Sequence, residues 1–442
     1  MGMNDKLGIV KHYVLTLARQ RRRNRAALEK WQERRILRHI AAVRQASPFY
    51  GELWANYRDR EWRDFPVIDK TVMMEHFDRL NTAGVSREAA LEAAAIAERT
   101  RNFKPTVGGT TVGLSSGTSG SRGLFLVNPR EQAAWTGTVL AKLLPRALWR
   151  KERLAFFLRA NSNLYESVQS GRLQFEFFDL LDPLERHVER LNDYQAGIWV
   201  APPSILRMLA DARLAGRLAV QPHKLVGVAE VLDPLDRQII EAAFGQPVHQ
   251  AYQCTEGFLG ATCHLGTMHL NEDIVHIQKE YLDEQSRRFV PIITDFSRTS
   301  QPIIRYRLND ILTEADKPCL CGSPYTAIER IEGRCDDILY FPHAEHGGAV
   351  AAFPDFITRA VIAASPEIAH YKVVQHNWHQ LEVSIQLSSS ASDEKVVHEG
   401  VSSELARLLE RIGCSLPELV FKPYSFVPGN AKLRRVERRF KL

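Results

Sequence analysis

The chain has 442 residues, and its 58 Lys and Arg against 52 Asp and Glu give a formal net charge of +6. With 45% hydrophobic and 25% charged residues, the composition is typical of soluble globular proteins and excludes disordered, collagen-like and coiled-coil classes. A chain of this length divides into at least two domains, because single hydrophobic cores stop growing beyond roughly 250–300 residues.

The N-terminal region contains one short apolar run, Leu7 to Leu17. This run is too short for a signal peptide, and the sequence has no stretch of about 20 apolar residues that could span a membrane. The basic run that follows, Arg19 to Arg25, is interpreted as a solvated helix face, because no aromatic platform or zinc-finger framework accompanies it. We therefore expect no membrane span and no nucleic-acid partner.

Residues 1–100 are predicted to be mostly helical. Apolar residues recur at helical spacing over Arg25–Ala46, and Ser86–Ala97 is an Ala- and Glu-rich helix that opens with a serine cap. Between these helices, Phe65–Lys70 is predicted to be a short extended link into another helix.

From residue 107 to about 330, short apolar strands alternate with helices. The predicted strands are Leu124–Val127, Leu154–Leu158, Gly197–Ala201, Lys224–Ala229 and Pro247–Tyr252, and Asp233–Phe244 is a helix between the last two. Strand, helix and strand at this spacing predict a parallel sheet. Ligands bind outside the carboxyl ends of such strands, which places Glu230 and Gln253–Gly257 at one edge.

The pattern begins again after Arg334, with a helix at Phe353–Ala363, strands at Tyr371–Val374 and Leu381–Leu387, and a helix at Glu394–Ile412. The predicted fold is therefore α/β, with a large N-terminal domain of mostly parallel sheets flanked by helices and a small mobile C-terminal domain. The large domain comprises residues 1–333, with the nucleotide site in 107–333, and the small lid domain comprises residues 334–442.

A loop rich in glycine and hydroxyl residues precedes the strand Leu124–Val127. Its predicted phosphate-binding residues are Ser115, Ser116, Gly117, Thr118, Ser119, Gly120 and Arg122. Glycines allow close approach of the backbone to a ligand, and successive N–H groups bind anions. The loop is not a Walker loop, because it lacks the Lys-Ser/Thr ending and leads into a strand. Taken alone, it is equally compatible with a surface linker.

Further motifs follow in a fixed order. They are Val228-Ala229-Glu230, Tyr252-Gln253-Cys254-Thr255-Glu256-Gly257, Pro302 to Asp310, Ile331 to Asp337, and Asn430 to Val436. In this order the chain resembles the adenylate-forming superfamily of acyl-CoA synthetases, adenylation domains and luciferases. The most similar branch contains the phenylacetate–CoA ligases and coenzyme F390 synthetases, and the resemblance covers roughly residues 40–442.

The resemblance implies an ATP-dependent ligase that forms an acyl-adenylate and pyrophosphate and then transfers the acyl group to CoA or a carrier-protein thiol. The phosphate loop would hold the β- and γ-phosphates. Thr255 would donate to the α-phosphate, and Glu256 would hold Mg²⁺, which prefers carboxylate and phosphate oxygens. Tyr252 would stack near the adenine, which the Ala229–Glu230 turn would border.

The remaining roles also come from the resemblance. Asp310 would bind the ribose hydroxyls, the alternative being a turn residue after Asn309. Arg334 would contact ribose or phosphate, and Asp336 would be the hinge of domain rotation. Lys432 would be the mobile cation that covers the carboxylate and the α-phosphate during adenylation.

The sequence departs from the family pattern at two basic positions. Many members end the phosphate loop with Pro-Lys, whereas this chain has Arg122-Gly123, so Arg122 would have to supply the cation. The lysine segment reads Ala431-Lys432 instead of Gly-Lys, which leaves open that Arg434 replaces Lys432.

Six cysteines in 442 residues are too few for a disulfide scaffold, which indicates reduced thiols and a cytoplasmic location. Thiolates and imidazole are the preferred ligands of structural zinc. By resemblance to some phenylacetate–CoA ligase-like proteins, the ligands would be Cys263, His269, Cys319 and Cys321. Cys254 or His264 remain alternative ligands, and buried free cysteines are the other interpretation.

The acyl pocket is assigned by family position to Phe156–Tyr165, the helix start at Pro202–Ser204, and Gly257–Thr262. Arg159 could bind a polar group of the acid or pair with an acidic residue of the protein. The sequence does not distinguish aryl, fatty and amino acids, and it leaves a homodimer open. Two other functions remain: nucleotidyl transfer or amide ligation of the F390 synthetase kind, and a non-catalytic, zinc-stabilised nucleotide-binding protein.

Overall fold

The computed structural model describes residues 3–21, 24–100, 105–115, 123–144, 151–158, 172–388, 393–426 and 432–441. The described α-helices are α1 (Met3–Gln20), α2 (Arg25–Ala46), α3 (Pro48–Leu53), α4 (Lys70–Glu75), α5 (Phe77–Leu80), α6 (Arg87–Thr100), α7 (Pro129–Leu143), α8 (Leu184–Tyr194), α9 (Pro203–Leu214), α10 (Pro234–Phe244), α11 (Pro354–Ala364) and α12 (Glu394–Arg411). Short 3₁₀ helices cover Asp59–Asp64 and Cys335–Asp337. Among the helices of these ranges, none is long and apolar enough to cross a membrane.

The strands up to residue 314 are β1 (Thr106–Val107), β2 (Thr110–Leu114), β3 (Leu124–Val127), β4 (Glu152–Leu158), β5 (Leu173–Asp179), β6 (Ile198–Ala201), β7 (Lys224–Val228), β8 (Val248–Cys254), β9 (Gly257–Thr262), β10 (Met268–Leu270), β11 (Val275–Asp283), β12 (Arg288–Asp295), β13 (Ile303–Arg307) and β14 (Asp310–Glu314). The later strands are β15 (Ala327–Arg334), β16 (Leu339–Pro342), β17 (Ala349–Ala352), β18 (Ile368–Asn377), β19 (Gln380–Leu387), β20 (Glu418–Pro423) and β21 (Val436–Arg438).

A large sheet organises the first three quarters of the chain. Its order is β11-β12-β14-β15-β10-β9-β8-β7-β6-β4-β5, with β13 also paired to β12. In this spatial order, the neighbouring strands between β5 and β8 are parallel. The neighbouring strands between β8 and β11, which include β9, β10, β15, β14 and β12, are antiparallel. The predicted α/β class is confirmed, and every strand predicted between residues 107 and 252 is present.

The antiparallel half was not predicted in detail from the sequence. Part of it follows from short connections, since only antiparallel neighbours can be joined by tight turns. Thr255 and Glu256 form such a turn between β8 and β9, and Cys263–Thr267 closes the next one with a 2.9 Å hydrogen bond from Cys263 N to Thr267 O.

Side-chain caps explain where the key helices begin and end. The Asp233 carboxylate accepts a hydrogen bond from Leu235 N at 2.9 Å, and α10 ends at Gly245, whose φ of 63° is left-handed. Helix α2 has the predicted bounds, and the Asn24 side chain accepts from Ala27 N at its start. The helix predicted at Ser86–Ala97 is confirmed as α6.

Helices cover both faces of the large sheet. One core packs α8, α9 and α10 on the parallel strands, a second packs α1 and α7 on the opposite face, and a third packs α2 to α5 on the antiparallel half. Helices α1 and α7 approach closely at Gly137, where a Cβ would lie 2.4 Å from Ile9 O. The carboxyl ends of β6, β7 and β8 remain open for a ligand.

The chain from β16 onward has a sheet and core of its own. Four strands in the order β20-β19-β18-β21 pack against α11 and α12 around an apolar cluster that includes Tyr371, Val401 and Leu405. These observations support a small C-terminal domain. Its boundary at residue 334 and its rotation remain predictions.

Candidate active site

A cavity of about 1360 Å³ lies at the carboxyl ends of β6, β7 and β8. The predicted site residues that line it are Ser115, Ala229, Glu230, Tyr252, Thr255, Glu256, Asp310, Arg334, Asp336 and Lys432. The other predicted phosphate-loop residues, Ser116, Gly117, Thr118, Ser119, Gly120 and Arg122, lie outside the described residues. The base of that loop is described: Gly123 N donates to Ser115 Oγ at 2.7 Å, and Ser115 N donates to Gly123 O at 2.8 Å.

The turn after β7 is unusual because Ala229 has a φ of 68°. A non-glycine residue in this region is uncommon and carries strain, which the surrounding contacts must offset. The turn directs Glu230 into the protein, where its carboxylate accepts hydrogen bonds from Ser204 N at 3.2 Å and Leu433 N at 3.1 Å. Burial raises the pKa of Glu230, and these hydrogen bonds oppose that shift.

The tight turn between β8 and β9 presents the predicted magnesium ligand. Glu256 accepts from Thr255 Oγ1 at 2.8 Å and from Tyr306 Oη at 2.9 Å. Arg298 donates to the Thr255 carbonyl oxygen at 2.6 Å, which fixes the turn from below. An acidic side chain held in this way can accept a divalent cation together with substrate phosphates.

Asp310 lies at the start of β14, opposite Tyr252 of β8. Tyr252 Oη donates to Asp310 Oδ2 at 2.6 Å, and Arg334 Nε lies 3.7 Å from Asp310 Oδ1. Burial raises the pKa of Asp310, while the Arg334 charge acts in the opposite direction. The geometry joins three predicted nucleotide-binding residues in one cluster; their roles toward ribose and adenine remain predictions.

Lys432 reaches the same cluster from the C-terminal part of the chain. Burial lowers the pKa of its ammonium, as does the charge of Arg334, whereas the carboxylates of Glu230 and Asp310 favour the charged form. Arg434, the alternative cation, instead pairs with Asp337. Of the two candidate cations, Lys432 is therefore the one that lies beside Glu230 and Asp310.

Asp336 occupies the 3₁₀ turn that follows β15. Its carboxylate accepts from Asn309 Nδ2 at 2.5 Å, and Cys335 N donates to the Asn309 carbonyl oxygen at 2.8 Å. These two bonds join the predicted hinge to the segment before Asp310.

A buried network of charges connects α9 and α10 to the C-terminal part. Arg435 Nη2 lies 2.5 Å from Asp236 Oδ2, and Tyr371 Oη donates to Asp233 Oδ2 at 2.5 Å. Arg207 lies 3.3 Å from Asp236 and also donates to the Ala369 carbonyl oxygen at 3.1 Å. We define Arg207, Asp233, Asp236, Tyr371 and Arg435 as the interface network. Sequence reasoning missed it, because its members come from separate segments without a shared motif.

The predicted zinc ligands are brought together at the antiparallel half of the sheet. The ligand atoms of Cys263, His269, Cys319 and Cys321 all lie within 4.8 Å of one another. Cys263 Sγ is 3.8 Å from Cys319 Sγ, and Cys321 Sγ is 3.4 Å from His269 Nε2. A tetrahedral zinc site with ordinary bond lengths separates two thiolates by about 3.8 Å and a thiolate from an imidazole nitrogen by about 3.5 Å.

The surroundings of His269 also fit a metal. His269 Nδ1 is 3.1 Å from the Tyr325 carbonyl oxygen, which can only accept a hydrogen bond, so Nδ1 carries the proton and Nε2 is left to bind. Cys254 lies instead at the nucleotide site, and His264 is exposed. Four protein ligands leave no open position, so the site suits a structural ion.

The acyl region is only partly described. Of the predicted pocket residues, Phe156, Leu158, Pro203, Ser204, Gly257 and Phe258 line the cavity. Residues 159–171, which include Arg159, lie outside the described residues. Helix α7 adds Trp135 and Val139, and β5 adds Phe175. The wall next to the nucleotide site is therefore largely apolar.

A basic residue that sequence reasoning missed also lines the cavity. Lys70, the first residue of α4, lies next to Ser115 and Gly123 at the base of the phosphate loop. No sequence signal marks Lys70 as a site residue, because its segment lies far from the other motifs and has only the pattern of an extended link before a helix.

The chain was compared with protein-family models, with other proteins and with solved structures. No protein-family model matches the chain. The chain is 24% identical over 474 aligned residues to a phenylacetate–coenzyme A ligase of Thermus thermophilus, covering 93% of this chain and 96% of that protein.

Solved structures of 2-hydroxyisobutyryl-CoA ligase share the fold. In the postadenylation state with bound 2-HIB-AMP, that enzyme superposes with a TM-score of 0.68 at 20% identity, covering 93% of this chain and 89% of the other. In the thioesterification state with 2-HIB-AMP and CoA, the TM-score is 0.55 at 20% identity, covering 93% of this chain and 90% of the other. The chain is thus similar over nearly its full length to a phenylacetate–coenzyme A ligase, and it shares the fold of 2-hydroxyisobutyryl-CoA ligase.

Proposed function

We propose that the chain activates a carboxylic acid with ATP, releases pyrophosphate, and transfers the acyl group from the adenylate to the thiol of CoA. The observation that carries the proposal is the convergence of Lys432, Glu256, Asp310 and Arg334 on one cavity with an apolar wall. This arrangement would combine a nucleotide site with room for the organic part of an acid.

The charges suit the first half-reaction. A carboxylate and an α-phosphate are both anions, so their approach requires cations and hydrogen-bond donors that neutralise charge in the transition state. Lys432 would supply a cation at the reacting groups, and Thr255 would supply a hydroxyl donor. Glu256 would hold Mg²⁺, which spreads the charge of the phosphates.

The second half-reaction would follow rotation of the C-terminal domain about Asp336. The interface network and Lys432 hold the C-terminal part against the cavity, as adenylation requires. The TM-score is higher with the postadenylation state than with the thioesterification state, which supports a domain arrangement that precedes thiol transfer. Rotation would withdraw Lys432 and admit the thiol.

Two ions belong to the proposal. Mg²⁺ would accompany ATP at Glu256, and a structural zinc would occupy Cys263, His269, Cys319 and Cys321. A cytoplasmic location and a homodimer remain predictions from the sequence.

The test is pyrophosphate release by the purified protein with ATP and Mg²⁺ across a panel of aryl, fatty and amino acids, first without and then with CoA. We expect one class of acid to stimulate release and CoA to yield the acyl thioester. If AMP stays covalently attached to the final product, the activity is nucleotidyl transfer. If ATP binds tightly and no acid in the panel stimulates release, carboxylate activation of those classes is excluded.

A further inference from the structure

The phosphate loop has Arg122-Gly123 where many family members have Pro-Lys, and Arg122, the substitute cation predicted from the sequence, lies outside the described residues. The structure places a lysine from another segment, Lys70, beside Gly123. A Cβ built on Gly123 would lie 3.0 Å from Lys70 Cε and 3.6 Å from Ser115 Oγ. The end of the Lys70 side chain therefore lies beside Gly123, the position where many family members carry their own lysine. Glycine at 123 leaves the space that this approach needs.

The backbone fixes Lys70 at this point. Ile68 pairs with β13 through hydrogen bonds from Ile68 N to Arg305 O at 3.0 Å and from Arg307 N to Ile68 O at 2.8 Å. The next residue, Asp69, caps α4 by accepting from Val72 N at 3.0 Å, so Lys70 begins the helix. Strand pairing on one side and a cap on the other determine where the side chain starts.

The same strand connects Lys70 to the predicted magnesium ligand. Tyr306 of β13, which pairs with Ile68, donates to Glu256 at 2.9 Å. The half-buried ammonium of Lys70 has a pKa lowered first by burial and also by the charge of Arg334, while Glu256 and Asp336 favour the charged form. Lys70 thus shares a cluster with the residues predicted to surround the triphosphate.

We propose that Lys70 replaces the missing phosphate-loop lysine by binding the β- and γ-phosphates of ATP and stabilising the leaving pyrophosphate. This inference rests on the proposed function. During adenylation a carboxylate oxygen forms a bond to the α-phosphorus, and the bond from that phosphorus to the oxygen bridging to the β-phosphate breaks. The electron pair leaves with pyrophosphate. Lys70 stays protonated throughout and transfers no proton, so it acts as a fixed positive charge.

The first test compares Lys70→Met, which keeps an unbranched apolar side chain without the ammonium group, with Lys30→Met, at an exposed lysine of α2. Binding of ATP, pyrophosphate and AMP with Mg²⁺ is measured by calorimetry. We expect Lys70→Met to weaken ATP and pyrophosphate binding about 10- to 100-fold, as for loss of a charge-assisted hydrogen bond, and to leave AMP binding within twofold. Equal weakening of all three ligands, or of none, would overturn the assignment.

A second variant changes the surroundings of Lys70 without replacing it. Gly123→Ala adds a methyl group 3.0 Å from Lys70 Cε, so the flexible end of the lysine must shift by a few tenths of an ångström. We expect it to weaken pyrophosphate binding while thermal unfolding stays within a few degrees of the wild type. Unchanged pyrophosphate affinity in both variants would contradict the proposal even if one of them were poorly folded.

Measuring the rates of the two half-reactions distinguishes a failure of this inference from a failure of the proposed function. With an activating acid, Lys70→Met should lower the rate of pyrophosphate release by roughly 100-fold and leave thioester formation from a supplied acyl-adenylate within twofold. If the wild type activates no acid, the proposed function fails, whereas the binding measurements still decide the role of Lys70. Pyrophosphate release as fast in Lys70→Met as in Lys30→Met would refute that role.

Discussion

Glu230 Oε1 accepts a hydrogen bond from the main-chain N–H of Leu433 at 3.1 Å, between residues 203 positions apart in the chain. Because Leu433 directly follows Lys432, this bond fixes the backbone from which the predicted catalytic lysine extends. The other oxygen of Glu230 accepts from Ser204 N. The carboxylate therefore joins the start of α9 to the lysine segment.

Replacing Glu230 by alanine should disrupt adenylation through Lys432. We expect Glu230→Ala to slow pyrophosphate release by roughly 100-fold, since a misplaced cation loses most of its effect. Thioester formation from a supplied acyl-adenylate should change by less than twofold. Glu189→Ala, at an exposed position of α8, serves as the control, and equal loss of both half-reactions in Glu230→Ala would contradict the positioning role.

Replacing Lys432 itself should separate the two half-reactions more clearly than Glu230→Ala does. Lys432→Ala should abolish acid-dependent pyrophosphate release and spare thiolation, because domain rotation would remove Lys432 from the second reaction. Both rates can be measured on one preparation, with Lys395→Ala on the exposed face of α12 as the control. Comparable losses in both half-reactions would exclude the assigned role.

The cysteine and histidine cluster predicts about one tightly bound zinc per chain. Elemental analysis of protein purified without added metal should find it, and Cys319→Ser or Cys321→Ser should lose it together with thermal stability. Cys335→Ala, which lies outside the cluster, should retain the metal. A metal-free wild type that unfolds at the same temperature with and without added zinc would refute a structural site.

The burial of Asp295, at the end of β12, predicts that the stability of the folded protein depends on pH. Burial raises the pKa of Asp295 to about 6, so between pH of about 4 and 6 the folded state binds more protons than the unfolded state. Stability therefore falls as pH rises through this window, by up to about 3 kcal/mol from this group.

Asp295→Asn removes that titration and keeps the oxygen that accepts from Ser297 N and Oγ. Urea unfolding at a series of pH values should show the variant gaining stability relative to the wild type from pH of about 4 to 6, with no further gain above. Asp193→Asn, exposed on α8, should show no such trend. A constant difference across the range would mean that Asp295 does not titrate in this window.

The sequence predicted those parts of the site that are set by local order along the chain. Glu230 and Glu256 each lie two residues after the end of a strand, and β7 and β8 are parallel neighbours, so the topology places both glutamates at one edge. The metal cluster was predicted from ligand chemistry and family resemblance, and the turns at Cys263 and Cys319 bring its members together.

The rest depends on contacts between remote segments. Lys70 enters the site because Ile68 pairs with β13, a register that no local pattern specifies. The partners of Arg435 are fixed only when the C-terminal part packs on α10. The antiparallel half of the sheet was also missed, since its strands are joined by turns whose residues carry no strong hairpin signal.

The interface network has a consequence for how readily the two parts of the chain separate. An apolar contact of the same size would resist opening, because its surface gains nothing from water. The buried carboxylates and guanidinium groups would regain hydration when exposed, and this offsets much of the lost pairing energy. A contact built from Arg207, Asp236 and Arg435 is therefore specific in its closed geometry and easier to open than an apolar contact of the same size, which would suit the proposed rotation of the C-terminal domain.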